Sequence, residues 1–404
     1  MRERLLSIFE AGLSAVEGNR AVSEALKGPS RLGDRVYLVA IGKAAAAMAA
    51  GARDSLGPTL VEGLVITKHG HGDDTLPYEI IESGHPKPDQ ASLNAGQRLL
   101  DFLGQVPSDA SLLFLISGGA SALVEVLPEG MGLEDLQRIS EWLLGSGLAI
   151  DEMNRIRKAL SLIKGGRLSA YMGGRPTLNL IISDVPDDNL TTIGSGLLVP
   201  APTGHALPEL PEWIERFTRA VPQPPSPHDA CFDGIDNRVI ANNRLALEAM
   251  AEKARALGFN VHRHEALLEG LVGDAAQEVR QIMLRNNGLH LWGGETTVEL
   301  PNVPGRGGRN QHLALLLAQA IANSEDLVLC AGTDGTDGPT EDAGALVDGQ
   351  SILRGELHYE GGVQSALDRF DAGQFLEASG DLINTGPTGT NVMDVVLAYH
   401  VADT

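Results

Sequence analysis

The segment VYLVAIGKAAAAMA at residues 36–49 decides the fold class, because one glycine joins an unbroken apolar run to an alanine-rich stretch. Val36–Ile41 contains no charged residue, which is typical of a strand buried on both faces of a parallel sheet. Residues 44–50 have strong helix propensity. The same order of strand, polar loop and helix returns along the chain and predicts an α/β fold with a largely parallel sheet.

Other apolar runs predict the remaining strands, and amphipathic segments between them predict helices. In the first half, strands are expected at 64–67, 79–82, 112–116 and 178–182, and helices at 1–27, 92–103, 133–144 and 150–163. In the second half, strands are expected at 238–241, 289–292 and 327–331, a last strand at 395–401 that closes the sheet, and helices at 243–257 and 311–322.

A chain of 404 residues exceeds one ordinary hydrophobic core, so two domains are expected. The stretch PQPPSP at 222–227 forms neither a helix nor a central strand. We therefore predict an N-terminal α/β domain at 1–230 and a smaller C-terminal α/β domain at 231–404. The alternative is a long surface loop inside one domain.

The composition excludes several classes of protein. A formal net charge of −22 disfavours a nucleic-acid partner, which requires basic surface. No stretch reaches the roughly 18–20 apolar residues of a membrane span, and no signal peptide is recognisable, so a cytoplasmic location is predicted. Two cysteines support neither a disulfide framework nor a cysteine zinc site. The oligomeric state is left open, with a homodimer as one option.

Glycine-rich loops follow two of the predicted strands, where open α/β sheets bind ligands. Gly42 permits a tight turn before Lys43, whose ammonium group could face an anion over the helix start. After the strand at 112–116, Ser117, Gly118, Gly119 and Ser121 form a candidate cradle for a phosphate or carboxylate. The alternatives are a solvated lysine on a first helical turn and a tight turn with a serine cap.

The segment NRIRKALSLIKGGRL at 154–168 concentrates basic residues in an acidic chain. Arg157, Lys164 and Arg167 recur near helical spacing, and Asn154 stands at the start of the segment. We interpret Asn154, Arg157 and Lys164 as candidate phosphate-binding residues. Basic residues near a helix C-terminus are also favoured by the helix dipole, which is a purely structural alternative.

Two aspartates follow buried strands and are candidate ligands of Mg²⁺, which prefers one or two carboxylates together with waters and substrate phosphates. Asp184 follows the strand at 178–182, and Asp334 follows the strand at 327–331 within AGTDGTDGPT. A surface turn is the alternative for the neighbouring Asp187 and Asp188.

The second half contributes two further candidate loops. In GGETTVELPNVPGRGGRN at 293–310, Arg309 is placed to clamp a phosphate or carboxylate, with Glu295 and Asn310 as further binding candidates. A hairpin with a glycine-rich tip is the alternative. In NTGPTGTN at 384–391, Thr385, Thr388 and Asn391 offer uncharged hydroxyl and amide groups.

Ten of these segments occur in the order seen in the class II glycerate kinases, which the chain resembles from about residue 5 to 400. They are GKAAAAMA, GHPKPDQAS, LISGGASALVEVLP, NRIRKALSLIKGGRL, IISDVPDD, IGSG, GGETTV, GRGGRNQHLAL, AGTDGTDGPTEDAGA and NTGPTGTNVMD. The C-terminal part of that family is known as the MOFRL domain. The chain departs from the usual pattern at Pro186, Asp187 and Leu197 and in ANNR at 241–244, which affects the expected shape of the substrate loops.

The resemblance implies phosphorylation of D-glycerate at its 2-hydroxyl by ATP with Mg²⁺. It also implies a Rossmann-like first domain, a MOFRL second domain and an active site in the cleft between them. Lys43 and Arg309 occupy the positions of the family's proposed catalytic residues. The SGGAS loop is expected to hold an anion, and the TDGTDG loop to contribute to nucleotide or metal binding.

The sequence leaves two alternative functions to consider besides the kinase. An NAD(P)-dependent hydroxypyruvate reductase, a label that some family members carry, should show G-x-G-x-x-G after a strand. The sequence has no such match, because GRGGRN ends in Asn310. A non-enzymatic sensor of a sugar acid would use the SGGAS loop but would leave the metal-type aspartates and the Arg306–Arg309 loop without a role.

Overall fold

The computed structural model describes residues 1–202 and 206–401 of the chain. Its helices are α1 (Arg2–Val16), α2 (Gly18–Leu26), α3 (Ala45–Leu56), α4 (Gln90–Gln105), α5 (Ala120–Leu123), α6 (Leu133–Gly145), α7 (Ile150–Ala159), α8 (Glu212–Ala220), α9 (Asn243–Ala256), α10 (Val272–Met283), α11 (Arg309–Ala320), α12 (Ser351–Glu356), α13 (Gly362–Asp368) and α14 (Ala372–Ser379). Its strands are β1 (Val36–Ile41), β2 (Leu60–Lys68), β3 (Glu79–Ser83), β4 (Ser111–Ile116), β5 (Thr177–Ile182), β6 (Ile235–Ala241), β7 (Val261–Arg263), β8 (Leu268–Leu271), β9 (Gly288–Thr297), β10 (Leu327–Gly332), β11 (Gly344–Asp348), β12 (Leu382–Ile383) and β13 (Asp394–His400).

The chain forms two compact units, and the unit of residues 18–240 is built on a six-stranded sheet. Its strand order is β3-β2-β1-β4-β5-β6, and strands β1 to β5 pair in parallel. This is the order of dinucleotide-binding folds, in which the direction of winding reverses between β1 and β4. The Rossmann-like architecture predicted for the first domain is confirmed.

The central strands of this sheet are apolar because helices and loops cover both faces. Every residue of β1, β4 and β5 is buried, as their apolar composition predicted. Leu99 and Phe102 of α4 pack with Phe114 of β4 and Ile181 of β5 in one core. Burial of the strands fixes where their carboxyl ends lie, and the loops that carry Lys43 and Ser117 leave from those ends.

The second unit, residues 1–17 with 241–404, contains a mixed seven-stranded sheet in the order β12-β11-β10-β13-β9-β7, with β8 beside β9. Four of its ladders are antiparallel, and only β7 and β8 pair with β9 in parallel among the described residues. Parallel pairing, which was predicted for the first domain, is not repeated in this α/β half. The expectation that the last strand closes the sheet is wrong, because β13 lies between β10 and β9. An apolar run predicts a buried strand, but it does not predict whether the adjacent strands run parallel or antiparallel to it.

The bounds of the two units differ from the predicted domain bounds at both ends of the first domain. Helix α1 packs against α9, where Gly12 allows close contact: a Cβ there would lie 2.2 Å from the Met250 side chain. The guanidinium group of Arg4 also lies over the ring of Phe259. At the other boundary, β6 pairs with β5, so the first unit continues past residue 230.

Two helices begin or end at positions that matter for the candidate site. Helix α7 ends at Ala159, several residues before its predicted end, and turns follow it as far as Gly166. Helix α11 begins at Arg309, although the glycine-rich sequence predicted that Arg309 lies in the preceding loop. In the part of the chain that the structure describes, we find no helix with the length and apolar character needed to span a membrane.

Candidate functional site

The turn between β1 and α3 places Lys43 beside the loop that follows β4. The backbone N–H of Lys43 donates to the carbonyl of Gly118 at 2.9 Å, and the N–H of Ala44 donates to the Ser117 hydroxyl at 3.0 Å. Gly42 has φ +136°, and a Cβ at this position would lie 2.1 Å from the Ser117 oxygen. Only glycine fits at position 42, so this residue allows the β1–α3 turn to pack directly against the loop after β4.

Gly119 continues this cluster with φ +84° at the start of α5. A Cβ on Gly119 would lie 3.3 Å from the Cγ of Lys43 and 2.9 Å from the ring of His85. The hydroxyl of Ser121 is 2.8 Å from that of Ser195. The predicted residues Gly42, Lys43, Ser117, Gly118, Gly119 and Ser121 therefore come together where β1 and β4 end, the usual ligand position of such sheets.

Sequence reasoning missed His85 and Ser195 as members of this cluster. His85 lies between β3 and α4 in the segment GHPKPDQAS, and Ser195 lies in the IGSG segment after β5. Both segments were noted only for their family resemblance. Their position after strands of the same parallel sheet is the signal that could have identified them.

The other predicted residues of this unit take three different positions. On α7, a guanidinium N–H of Arg157 donates to the amide oxygen of Asn154 at 3.0 Å, and burial lowers the pKa of Arg157. Lys164 lies elsewhere: its ammonium group is buried 2.5 Å from the carboxylate of Glu125. Asp184 lies two residues after β5 and is half-buried.

In the second unit, Arg309 is the first residue of α11, and three contacts to carboxylates hold its side chain. Its Nε and Nη2 groups donate to the two carboxylate oxygens of Asp394 at 2.6 and 3.1 Å, and its Nη1 lies 2.6 Å from Glu295. Burial opposes the charge of Arg309, but Asp394 and Glu295 outweigh it and raise its pKa. The guanidinium group is therefore permanently charged and fixed in orientation.

Asp337 caps the same helix from a distant loop. Its carboxylate accepts hydrogen bonds from the backbone N–H groups of Asn310 at 3.1 Å and Gln311 at 2.8 Å. Gly308 makes this approach possible, because a Cβ there would lie 2.3 Å from the Asp337 carboxyl carbon. These hydrogen bonds satisfy two N–H groups at the start of the helix and fix the turn that presents Arg309.

Asp394, the bidentate partner of Arg309, was not singled out from the sequence. It is the first residue of β13 and pairs with Gly294 of β9 on one side and Gly332 of β10 on the other. A Cβ on Gly332 would lie 3.4 Å from the carboxylates of both Asp334 and Asp394. Because Gly294 and Gly332 have no side chains, there is space beside β13 for these carboxylates. The sequence pattern that could have identified Asp394 is an aspartate at the start of an apolar strand.

The remaining predicted residues lie in loops of the same unit. Asp334 accepts hydrogen bonds from the backbone and hydroxyl of Thr336, and the Thr388 hydroxyl donates to the carbonyl of Thr333. Asn391 is buried, whereas the exposed Thr385 bonds its neighbour Gly386. Within residues 1–202 and 206–401, no group of three or more His, Cys, Asp or Glu side chains is arranged to hold a metal ion.

Asp337 should make stability depend on pH. Burial raises its pKa to about 7, although the two helix N–H bonds oppose the shift. The native protein thus keeps this proton up to about pH 7, whereas the unfolded chain loses it near the ordinary value of 3.8. Between these values the native state binds more protons, so this group's contribution to stability falls as pH rises. We expect a Tm measured from pH 4 to 8 to fall more steeply for the wild type than for Asp337→Asn; parallel curves would contradict the shift.

A parallel sheet of dinucleotide-binding order, with a lysine and a glycine–serine loop where its winding reverses, defines a Rossmann-like α/β protein. Two family models match the chain: a domain of unknown function (DUF4147) matches residues 4–218, and the MOFRL family matches residues 288–394.

Relatives extend over the whole chain. A D-glycerate 2-kinase of Thermotoga maritima is 36% identical, with 99% of each chain covered, and a putative hydroxypyruvate reductase of Agrobacterium vitis is also 36% identical, covering 98% of this chain and 93% of its own. The crystal structure of a glycerate kinase from Thermotoga maritima superposes with a TM-score of 0.84 at 33% identity, covering 99% of each chain. The chain belongs to the class II glycerate kinase family.

Proposed function

We propose that the chain is an ATP- and Mg²⁺-dependent kinase that transfers the γ-phosphoryl group of ATP to the 2-hydroxyl of D-glycerate, giving 2-phosphoglycerate and ADP. The observation that carries the proposal is the position of Lys43, at the junction of β1 and α3 beside the Ser117–Gly118 loop. Full-length similarity to a D-glycerate 2-kinase supports the choice of substrate.

Both reactants are anions, and the chain itself carries a net charge of −22, so local cations must overcome repulsion. Phosphoryl transfer depends mainly on positioning and on neutralising the transferred group. In our mechanistic hypothesis, one of Lys43 and Arg309 neutralises the γ-phosphoryl group, and the other holds the glycerate carboxylate or the leaving phosphates. The loop Ser117–Ser121 supplies backbone and hydroxyl donors to an anion.

Arg309 retains donors for a ligand although it is already paired. A guanidinium group has five N–H donors, and the contacts to Asp394 and Glu295 engage three nitrogens once each. The Asp394 side chain is 8% exposed and holds the orientation. The Glu295 side chain is 46% exposed, so its ion pair is weak, and a substrate anion can replace it.

The surroundings of Arg309 also fit a divalent cation, because Asp394 and Glu295 give the group and its partners an excess of negative charge. We propose that Asp184 and Asp334 are carboxylate ligands of Mg²⁺. Mg²⁺ takes one or two carboxylates together with waters and phosphate oxygens, so two aspartates are enough protein ligands. Bound Mg²⁺ would neutralise phosphate oxygens during transfer.

The direct test is to incubate the purified chain with D-glycerate, ATP and Mg²⁺ and to identify the product by ³¹P NMR against authentic 2- and 3-phosphoglycerate. We expect ADP and the 2-phosphate. L-Glycerate tests the enantiomer, and omission of Mg²⁺ tests the metal. In a parallel reaction, oxidation of NADH with hydroxypyruvate and no ADP release from glycerate would reject the kinase in favour of a reductase.

Lys43→Ala should lower kcat/KM for glycerate phosphorylation by at least about a hundredfold, the scale of losing one electrostatic group at a transferring phosphoryl or substrate anion. Arg31→Ala in the same unit is the matched control, because Arg31 is exposed and its substitution also removes one positive charge. Steady-state kinetics on both variants check the prediction. If the Lys43 variant is as active as the control, Lys43 has no part in the mechanism.

A further inference from the structure

A cavity of about 690 Å³ lies within the unit of residues 18–240. Helix α7 and the turn at 165–167 form one wall. Asn189, Thr191 and Thr192 after β5, together with Pro202, Ala206 and the segment at 221–224, form the others. Its volume is within the range of pockets that bind cofactors and drug-sized ligands.

The lining of this cavity is basic in an acidic protein. Among the described residues that line it, Arg155, Lys158 and Arg167 are basic and Asp151 alone is acidic. The chain as a whole has 53 acidic and 31 basic residues. The excess of two positive charges around this cavity is therefore opposite in sign to the net charge of the protein. The lining also offers neutral polar side chains, among them Asn154, Thr192 and Gln223.

These cations lack strong counter-ions within the described residues. Lys158 donates to the carbonyl of Thr191 at 2.7 Å, and Arg167 donates to the carbonyls of Pro222, Lys158 and Lys164. Neither side chain lies within 4.0 Å of a carboxylate in that part of the chain. Arg155 has a carboxylate oxygen of Glu152 at 3.7 Å, while its buried Nε has no hydrogen-bond partner.

Burial of unpaired charge is costly, and the pKa values reflect it. Burial lowers the pKa of Arg167, and it lowers that of Lys158 although Asp151 opposes the shift. The dipole of α7 favours Lys158 near its C-terminus but does not explain Arg167, which lies beyond the helix. A bound anion would supply the missing negative charge to both groups.

The cavity is connected by hydrogen bonds to the Lys43 cluster. The N–H of Gly165, in the cavity wall, donates to the carbonyl of Ser195 at 3.0 Å, and the Ser195 hydroxyl bonds that of Ser121. Ser121 belongs to the loop that contacts the backbone of Lys43 through Gly118. The cavity wall is therefore linked through Gly165 and Ser195 to the loop assigned to anion binding.

We propose that this cavity binds the polyphosphate chain of a nucleoside triphosphate, with Lys158, Arg167 and Arg155 as its cationic contacts. The inference rests on the proposed kinase function, for which it names the nucleotide site. Lys158 and Arg167 each donate to the phosphates from groups that now donate only to backbone carbonyls. Asn154, Thr192 and Gln223 are placed to contact the uncharged part of the nucleotide.

The test uses isothermal titration of the full chain with ADP, and separately with inorganic tripolyphosphate, in the wild type and in Lys158→Met. Methionine keeps an unbranched apolar side chain and removes the charge. We expect the Kd for both probes to rise at least about tenfold, as expected for loss of a charge-assisted hydrogen bond. In kinetics, KM for ATP should rise while KM for glycerate changes less than about twofold. Lys158→Arg should restore part of the affinity.

Arg31→Ala is the charge-matched control and should bind ADP as the wild type does, because Arg31 is exposed and outside the cavity lining. Arg167→Met is the second variant, since Lys158 also holds Thr191; circular dichroism and Tm verify that both fold. If both variants are folded and bind ADP with unchanged Kd, or if the wild type binds neither probe, the inference is wrong. Charge-dependent ADP binding without glycerate phosphorylation would uphold the cavity and reject the proposed function.

Discussion

Arg309→Ala is expected to lower kcat/KM for glycerate phosphorylation by at least about a hundredfold. The change removes a charge that Asp394 and Glu295 hold in one orientation at the start of α11. It also leaves the carboxylate of Asp394 buried without its cation, so Tm should fall as well. Arg309→Lys keeps the charge but loses the two-bond fork to Asp394, and an intermediate rate is expected.

The matched control for this prediction is Arg285→Ala in the same unit, since Arg285 is exposed and lies in the turn before β9. Rates and Tm are measured for all three variants. A folded Arg309→Ala protein with the kinetics of the control would exclude Arg309 from catalysis and substrate binding. Equal losses in the alanine and lysine variants would mean that geometry, rather than charge, carries the effect.

Lys164→Met is expected to cause the largest loss of stability, about 3–5 kcal/mol. The side chains of Lys164 and Glu125 are only 4% and 3% exposed, and their charged atoms lie 2.5 Å apart. Removing the ammonium group leaves a buried carboxylate with one remaining described bond, from the N–H of Val126. At about 2–4 °C per kcal/mol for a unit of this size, Tm of the corresponding transition should fall by roughly 6–20 °C.

The double variant Lys164→Met with Glu125→Gln provides the control, because it removes both charges and keeps an oxygen that can accept from Val126. It should recover most of the lost stability. The experiment also decides between two roles for Lys164. If Lys164→Met keeps the wild-type Tm and instead loses affinity for ADP or glycerate, the predicted anion-binding role is right and the buried pair is not structural.

The first unit was largely predictable because its signals are local. The apolar runs of β1, β4 and β5 are buried along their whole length, and each is followed by the small and polar residues that its turn requires. Gly42 shows why: the turn needs φ +136° and a missing Cβ, and both demands are met by the identity of one residue. Such requirements can be recognised before any partner segment is known.

The second unit was less predictable because its arrangement depends on distant segments. The run at 395–401 looks the same whether it is an edge strand or, as β13, lies between β9 and β10. Asp394 acquires its role only because Arg309, 85 residues earlier, packs against it. Asp337 likewise caps a helix that begins 28 residues before it. Sequence rules for helix caps consider only the residues next to the helix start, so they do not predict a cap from another loop.

The sequence by itself determined the strand and loop order of the first unit, the family, and the glycines that bring Lys43 beside Ser117, because backbone conformation and burial of apolar runs are properties of short segments. Tertiary structure alone decided which carboxylate each buried cation meets. It joined Lys164 to Glu125 and Arg309 to Asp394, and among the described residues it left Lys158 and Arg167 around a cavity without a carboxylate within 4.0 Å. A charge in a low-dielectric interior needs a partner, and folding selects that partner from the whole unit rather than from neighbouring residues.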